Sequence, residues 1–327
     1  MASLVSVIIP CYNAERYLDR SIASVYEQDW SSIELIVVDD GSTDHSAEKI
    51  HTWEKIFAGR GKNNRLTYIY QENQGLGGAI NTGLEYVTGE YLTLLDADDR
   101  YLPGSVSERA SYLEDHPDCS VVRTNGYMVS GTNKWLFTYD DSEKTGNLFE
   151  LLMYGKTYNW AGSYMIRTKV LFRFYKERTI YPSRFGQNLQ LLIPAAWQNK
   201  CAYIDKPLME YIRDGSSLSN EIGHEKAKCK GLNNAIGYLD IRRHIIEELP
   251  LDNEERIKWL RAAEAIYYRR QLQIGMEYKD EKLTREAIDG LKRLEQYTIE
   301  DKISYYSYKN KPVSYVYRGI RKIKEHI

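Results

Sequence analysis

Val5 to Pro10 (VSVIIP) is an apolar, β-branched run, and three comparable runs follow it: Ile33–Val38, Leu66–Gln71 and Tyr91–Leu95. Short apolar runs ended by Asp, Asn or Gly predict buried strands. Between them, apolar residues return at helical spacing. Tyr17, Ile22 and Val25 do so within Asn13–Gln28, a second helix is expected to reach Phe57, and a third to span Ala79–Val87. Asn13 is the expected cap of the first helix, and Ser42 or Asp44 of the second. Strands alternating with helices imply a parallel sheet with helices on both faces, and strands apolar throughout suit burial on both sides.

In such a sheet, ligands lie beyond the carboxyl ends of the strands. Four polar clusters fall there: Cys11-Tyr12-Asn13, Asp39-Asp40, Glu72-Asn73-Gln74-Gly75, and Asp96 with Asp98. The last pair sits in LTLLDADDRYLP. In an extended chain residues i and i+2 point the same way, so both carboxylates are expected on one side of a strand end. Held together they repel unless a cation lies between them. Mg or Mn, which leave coordination positions open for phosphate oxygens, suit that role. The competing reading is a solvated acidic turn in which Asp99 helps to cap the next helix. The glycine loop is not a dinucleotide fingerprint, because Ile80 stands at the third glycine position and the loop follows the third strand.

Beyond residue 102 the pattern loosens. Pro103–Asp115 reads as a helix, and CSVVRTNGYMVSG and KWLFTYDD as antiparallel strands. Trp160 is either a sugar platform or a core residue, and Gly162 either admits a close substrate or permits a turn. From Glu221 onward the chain reads as long charged helices punctuated by Gly231, Pro250 and Gly275. The tail from Lys302 to Ile327 is rich in Lys, Arg and Tyr, which suits an anionic membrane surface or an oligomer-forming helix.

Composition narrows the function. The 327 residues suit one large domain plus an appendage, with 1–220 as the first unit and 221–327 as a helical region. A net charge of −2 argues against a dedicated nucleic-acid binder. Cys11, Cys119, Cys201 and Cys229 lack C-x-x-C spacing and are expected reduced, in the cytosol. Neither a secretory leader nor a membrane-spanning run is apparent, so the expected place is the cytoplasm, with the inner face of the cell membrane as an alternative. The 28 Tyr against 6 Phe weakly favour a carbohydrate-handling surface.

SVIIPCYNAERYL, VVDDGSTD, ENQGLGGAINTGL and GEYLTLLDADD together resemble the donor half of bacterial family-2 glycosyltransferases with the GT-A fold. The match is dense over about residues 4–110 and looser to about 220. It implies an α/β fold: a GT-A-like, Rossmann-type, mostly parallel sheet flanked by helices, with a donor half at about 1–110, an acceptor half at about 111–220 and the helical appendage. It implies a nucleotide-diphosphate sugar as donor, a UDP sugar first among them. Pro10 and Tyr12 would line the base, Asp40 would bond its edge and Asp39 would shape that wall. Gly75 would lie at the nucleotide, Asp96 would reach the ribose, and Asp98 would hold Mn or Mg on the diphosphate. Transfer would be to a hydroxyl of a glycan or lipid-linked acceptor in bacterial surface polysaccharide synthesis, by direct displacement with inversion.

Three departures stand out. The family often has an arginine at or beside Ile80; Arg100 and Arg123 are the substitutes at hand. The acidic pair of the acceptor side is replaced by Gln187-Asn188. An amide can orient a hydroxyl but cannot take its proton, so Asn188 is expected to orient the acceptor and not to act as base. In YIRDGSSLSN, the family's loop over the diphosphate, Asp214 stands about where a histidine often sits. It is a candidate base, a candidate ligand, or a turn residue before Gly215. The competing readings are a sugar-nucleotide pyrophosphorylase and a nucleotide-sugar-binding scaffold without transfer; a homo-oligomer is compatible with any of them.

Overall fold

The structure is a computed structural model that describes residues 2–213 and 224–310. The chain divides into two compact units, Met1–Asn220 and Glu221–Ile327.

The first unit is built on one mixed sheet. Its strands are β1 (Val5–Cys11), β2 (Ile33–Asp39), β3 (Arg65–Tyr70), β4 (Tyr91–Leu94), β5 (Arg100–Tyr101), β6 (Cys119–Ser130), β7 (Asn133–Leu136), β8 (Tyr164–Arg167) and β9 (Lys200–Ile212). The order across the sheet is β3-β2-β1-β4-β8-β6-β9-β5, with β7 beside β6. β3, β2, β1 and β4 run parallel. β8 then pairs antiparallel with both β4 and β6, and β6 pairs parallel with β9, so beyond the first hundred residues the sheet is mixed.

Helices α1 (Leu18–Tyr26), α2 (Ser46–Phe57), α3 (Gly75–Glu85) and α4 (Ser105–Asp115) cover both faces of this half. Val5, Val7 and Ile9 of β1 and Ile33, Leu35 and Val37 of β2 form one buried cluster with Leu18, Ile22 and Val25 of α1 and Ile50 of α2. The alternate residues face α3: a Cβ on Gly83 would lie 2.7 Å from Cγ2 of Ile8, so glycine lets that helix sit down on the sheet. Four more helices follow: α5 (Asp141–Thr145), α6 (Leu148–Met153), α7 (Thr168–Phe174) and α8 (Gln187–Ala196).

Several local expectations are corrected. Asn13 does not cap α1, which starts at Leu18; it is in the left-handed region (φ 49°) and its side chain serves the neighbouring loop. Ser42 does not cap α2 either, although Asp44 accepts the Ser46 amide at 3.0 Å where that helix opens. α3 starts at Gly75, not Ala79, because its first amide finds a buried carboxylate.

The second unit contains α9 (His224–Glu248), α10 (Asn253–Glu277), α11 (Glu281–Arg293) and α12 (Ile299–Lys309). Gly231 and Gly275 do not interrupt these helices as expected. They lie within α9 and α10, and Gly275 lets α10 approach α11 so closely that a Cβ there would stand 2.6 Å from Oγ1 of Thr284. Only Pro250 breaks the chain, ahead of the Asp252 side chain that caps α10. Of the basic, Tyr-rich tail, Lys302–Lys309 lies in α12, and residues 311–327 lie outside the described part.

Candidate active site

Two loops leave adjacent parallel strands and are stitched to each other by side chains. After β1, the amides of Asn13, Ala14 and Glu15 donate to Oγ of Ser42, Oγ of Ser46 and Oδ2 of Asp44 at 2.9, 3.0 and 3.0 Å. In return, Oδ1 of Asn13 accepts the Thr43 amide at 2.8 Å and Oε2 of Glu15 the His45 amide at 2.9 Å. The loops are thereby held rigidly at the carboxyl end of the sheet. Pro10 is half-buried inside β1, and the Tyr12 ring is 55% exposed just beyond it, available as a flat face. Cys11 between them is buried, and desolvation pushes its thiol up to about 11, so it has no acid–base role near neutrality.

Asp39 and Asp40 are both buried. Asp39 accepts the Ser42 amide at 2.8 Å and the Tyr68 hydroxyl at 3.0 Å, which shapes the turn. Asp40 reaches the other way. Its Oδ1 accepts Nε2 of Gln71 at 2.6 Å and the Gln74 amide at 2.8 Å, and its Oδ2 accepts the Gly75 amide at 2.8 Å. A carboxylate has about four acceptor sites, so one remains for a ligand. Gly75 has φ +78°, a conformation that glycine adopts without strain.

Asp96 and Asp98 are brought together, but not by the pleat of a strand. β4 stops at Leu94, and the Asp99 amide donates to the Asp96 carbonyl at 3.0 Å, closing a tight turn. Asp98 is exposed and Asp96 half-buried; desolvation and the charge of Asp98 push the Asp96 carboxyl up to about 7. Asp99 does not cap α4. It is buried, accepts the Ile212 amide of β9 at 2.8 Å, and its second oxygen has no partner. Burial and its two acidic neighbours hold it well above the ordinary carboxylate range. Arg20 donates to the Asp98 carbonyl, and its charge opposes the upward shift of the Asp99 carboxyl.

This donor set fits a hard divalent ion. Asp96 and Asp98 offer oxygen alone, and among the described residues no group of three His, Cys, Asp or Glu could hold a metal by itself, so phosphate oxygens of a ligand would have to complete the shell. Mg and Mn are commonly held by one or two carboxylates with phosphate oxygens completing the shell.

On the far side, Gln187 and Asn188 open α8. Nε2 of Gln187 donates to the Ser183 carbonyl at 2.9 Å. Asn188 accepts the Tyr164 hydroxyl at 2.7 Å and donates to the Asn159 carbonyl at 3.1 Å. Tyr164 is fully buried, and burial holds its hydroxyl well above the usual range, so it stays a donor. Trp160 stacks on Phe137 at 3.8 Å with Tyr158 edge-on at 5.0 Å; it is half-buried, and Tyr158 is the exposed ring of the group. Gly162 (φ +85°) is a turn residue wedged among Leu95, Tyr101 and Met209.

Neither substitute cation is bonded to the loops that carry Tyr12, Asp40 and Gly75. Arg100 pairs with Glu210, and the buried Arg123 is tied to the Glu143 carbonyl, Thr157 and Asn159. Asp214 lies outside the described residues; the segment leading to it leaves β9 directly beside Asp99.

The sequence matches the family model described as Glycosyl transferase family 2 over residues 6–178, more than half of the chain. The chain belongs to glycosyl transferase family 2. Among its relatives, glycosyltransferase GlyA of Streptococcus pneumoniae is 30% identical over 226 residues, 65% of this chain but only 31% of GlyA. Among solved structures, S. aureus TarS 1–349 superposes with a TM-score of 0.61 at 18% identity, covering 92% of this chain and 82% of that one. The same TarS 1–349 has been solved with UDP-GlcNAc (TM-score 0.55, 18% identity, 89% and 92% covered). Mannosyltransferase PcManGT of Pyrobaculum calidifontis, solved with GDP-Man and Mn2+, gives 0.55 at 15% identity, covering 96% of this chain and 83% of that one. At these identities the superpositions establish the GT-A-like fold.

Sequence reasoning missed Tyr164, Gln71 and Arg184 as members of this region. Each is placed by a contact distant in the chain, so no local signal in the sequence marks it.

Proposed function

We propose that this glycosyltransferase moves a sugar, with inversion, from a nucleotide diphosphate to a hydroxyl of a glycan or lipid-linked acceptor, with Mn or Mg at Asp98. The observation that carries this is the gathering of Tyr12, Asp40, Gly75, Asp96 and Asp98 at the carboxyl ends of four adjacent parallel strands. Residues 1–110 then form the donor half and 111–220 the acceptor half.

Tyr12 stacks on the base, and the remaining acceptor site of Asp40 bonds its edge. Pro10 and Asp39 support that wall, and Asp96 faces the ribose. Asp98 would hold the ion, whose chemistry is to neutralise charge building on the departing diphosphate. Asn188 keeps one amide hydrogen and one carbonyl lone pair for orienting an acceptor hydroxyl. Asp214, which lies outside the described residues, is the candidate from the sequence to receive the acceptor proton. The role in surface polysaccharide synthesis and the contact of the basic tail with an anionic membrane face belong to the same reading. Among the described residues no helix is long and apolar enough to cross a membrane.

Purified protein with a panel of nucleotide sugars and Mn tests this. Release of nucleoside diphosphate that depends on metal and acceptor is expected. Binding without release would favour the scaffold reading, and no binding would end both.

A further inference from the structure

One arginine beside the loop after β3 stands on a well anchored segment and makes no hydrogen bond among the described residues. Arg184 lies over Gly75: its Cγ and Nε stand 3.8 and 3.9 Å from where a side chain on Gly75 would begin. The Gly75 amide is the one that donates to Asp40. Among the described residues, no hydrogen bond or ion pair engages the Arg184 guanidinium, and the side chain is exposed.

Its backbone is fixed from both sides. Asn81 of α3 bonds both polar groups of Ile180, at 2.8 and 2.9 Å. Gln190 of α8 does the same for Tyr181, at 2.8 and 3.1 Å, and Gln187 holds the Ser183 carbonyl. Gly77 completes the clamp, because a Cβ there would stand 2.5 Å from the Ser183 carbonyl oxygen. A long cation on so well anchored a segment, next to Gly75 and without a hydrogen-bonding partner among the described residues, is placed for a ligand.

We propose that Arg184 donates to a carbonyl on the edge of the donor's base and so selects keto bases (uracil, thymine, guanine) over amino bases (cytosine, adenine). The proposal rests on the placement of the nucleotide given above. A guanidinium offers only donors and an ionised carboxylate only acceptors. With Gly75 between them, a donor from Arg184 and an acceptor from Asp40 would complement a ring N–H next to a carbonyl, as in uracil or guanine. Cytosine presents the opposite pair, a bare ring nitrogen next to an amino group, and would meet like with like at both positions. A site built to hydrogen-bond one pattern rejects the analogue lacking it, because its own groups are then left unpaired.

Calorimetric titration of UDP and CDP in the presence of Mn, on wild type, Arg184→Gln and Arg184→Lys, tests this. Wild type is expected to bind UDP at least about tenfold more tightly than CDP. Arg184→Gln should lose about tenfold for UDP with little change for CDP, and Arg184→Lys should fall between. Equal losses for both nucleotides would mean a phosphate contact and would overturn the assignment, as would unchanged UDP affinity. In either case the nucleotide site itself would stand. A wild type that ignores UDP, GDP and dTDP alike would overturn the site and Arg184 with it.

Discussion

Tyr164 donates its hydroxyl hydrogen to Asn188 across 2.7 Å, while the amide nitrogen of the same Asn188 donates to the Asn159 carbonyl at 3.1 Å. An aspartate could make the first bond but not the second. Gln187 likewise uses a donor, toward Ser183. The two amides therefore have structural work that an acidic pair could not do. Asn188→Asp is expected to lower stability by about 1–3 kcal/mol, the cost of an unmatched buried acceptor, and to bring no gain in turnover. Thermal unfolding and initial rates check it; a tenfold faster variant would mean that the position regained a base.

Two acids are expected to act differently, Asp98 through the metal and Asp214 on the acceptor proton. Asp98→Asn should reduce turnover by about 10²–10³ and abolish the response to added Mn. Asp214→Asn should reduce turnover strongly while donor affinity is kept. Rates and nucleotide titrations on both variants distinguish them, and an Asp214→Asn enzyme with unchanged rate would remove that residue from the reaction.

Glu34 governs stability at the opposite end of the sheet. It is buried, accepts the Thr88 amide, the Thr88 hydroxyl and the Gly89 amide at 2.6, 2.7 and 2.8 Å, and also contacts Ser6 and Arg65. Burial alone would raise its pKa, but the bonds from Ser6 and Thr88 and the charge of Arg65 outweigh it, and the carboxyl ends below its usual range. An acid stronger in the folded than in the unfolded state stabilises the fold above its unfolded pKa and ceases to as pH falls through its folded one. Glu34→Gln should cost about 2–4 kcal/mol at neutral pH and flatten the loss of stability below about pH 5. Denaturant melts between pH 3 and 8 are the measurement; parallel curves for variant and wild type would refute the assignment.

Thiol labelling should follow exposure. Cys229 is exposed and Cys11 and Cys119 are buried, with burial also raising both buried thiols. Brief alkylation of the native protein near pH 8 should modify Cys229 first, leave Cys11 untouched, and leave nucleotide binding intact. Peptide mapping that finds Cys11 modified early would show that the loop after β1 opens.

Much of the donor half was legible before any coordinates. The four parallel strands and the polar clusters at their ends follow from short apolar runs and their terminators, signals carried by neighbours in the chain. The resemblance of the same stretches supplied the family. Nearby errors have local causes: Asn13 has the chemistry of a cap, but its side chain found Thr43 in the next loop, and the DADD carboxylates were aligned by a turn where a strand had been expected.

The sequence alone determined the four parallel strands of the donor half and the acids, asparagine and tyrosine at their tips, because periodicity and turn chemistry act over a few residues; β5, β8 and β9 were not legible in it. Tertiary structure alone decided what the amides of α8 hold, that Asp99 is buried against β9, and that Arg184 lies across Gly75. Those outcomes depend on bonds between segments far apart in the chain, whose geometry exists only after the sheet has brought them within reach.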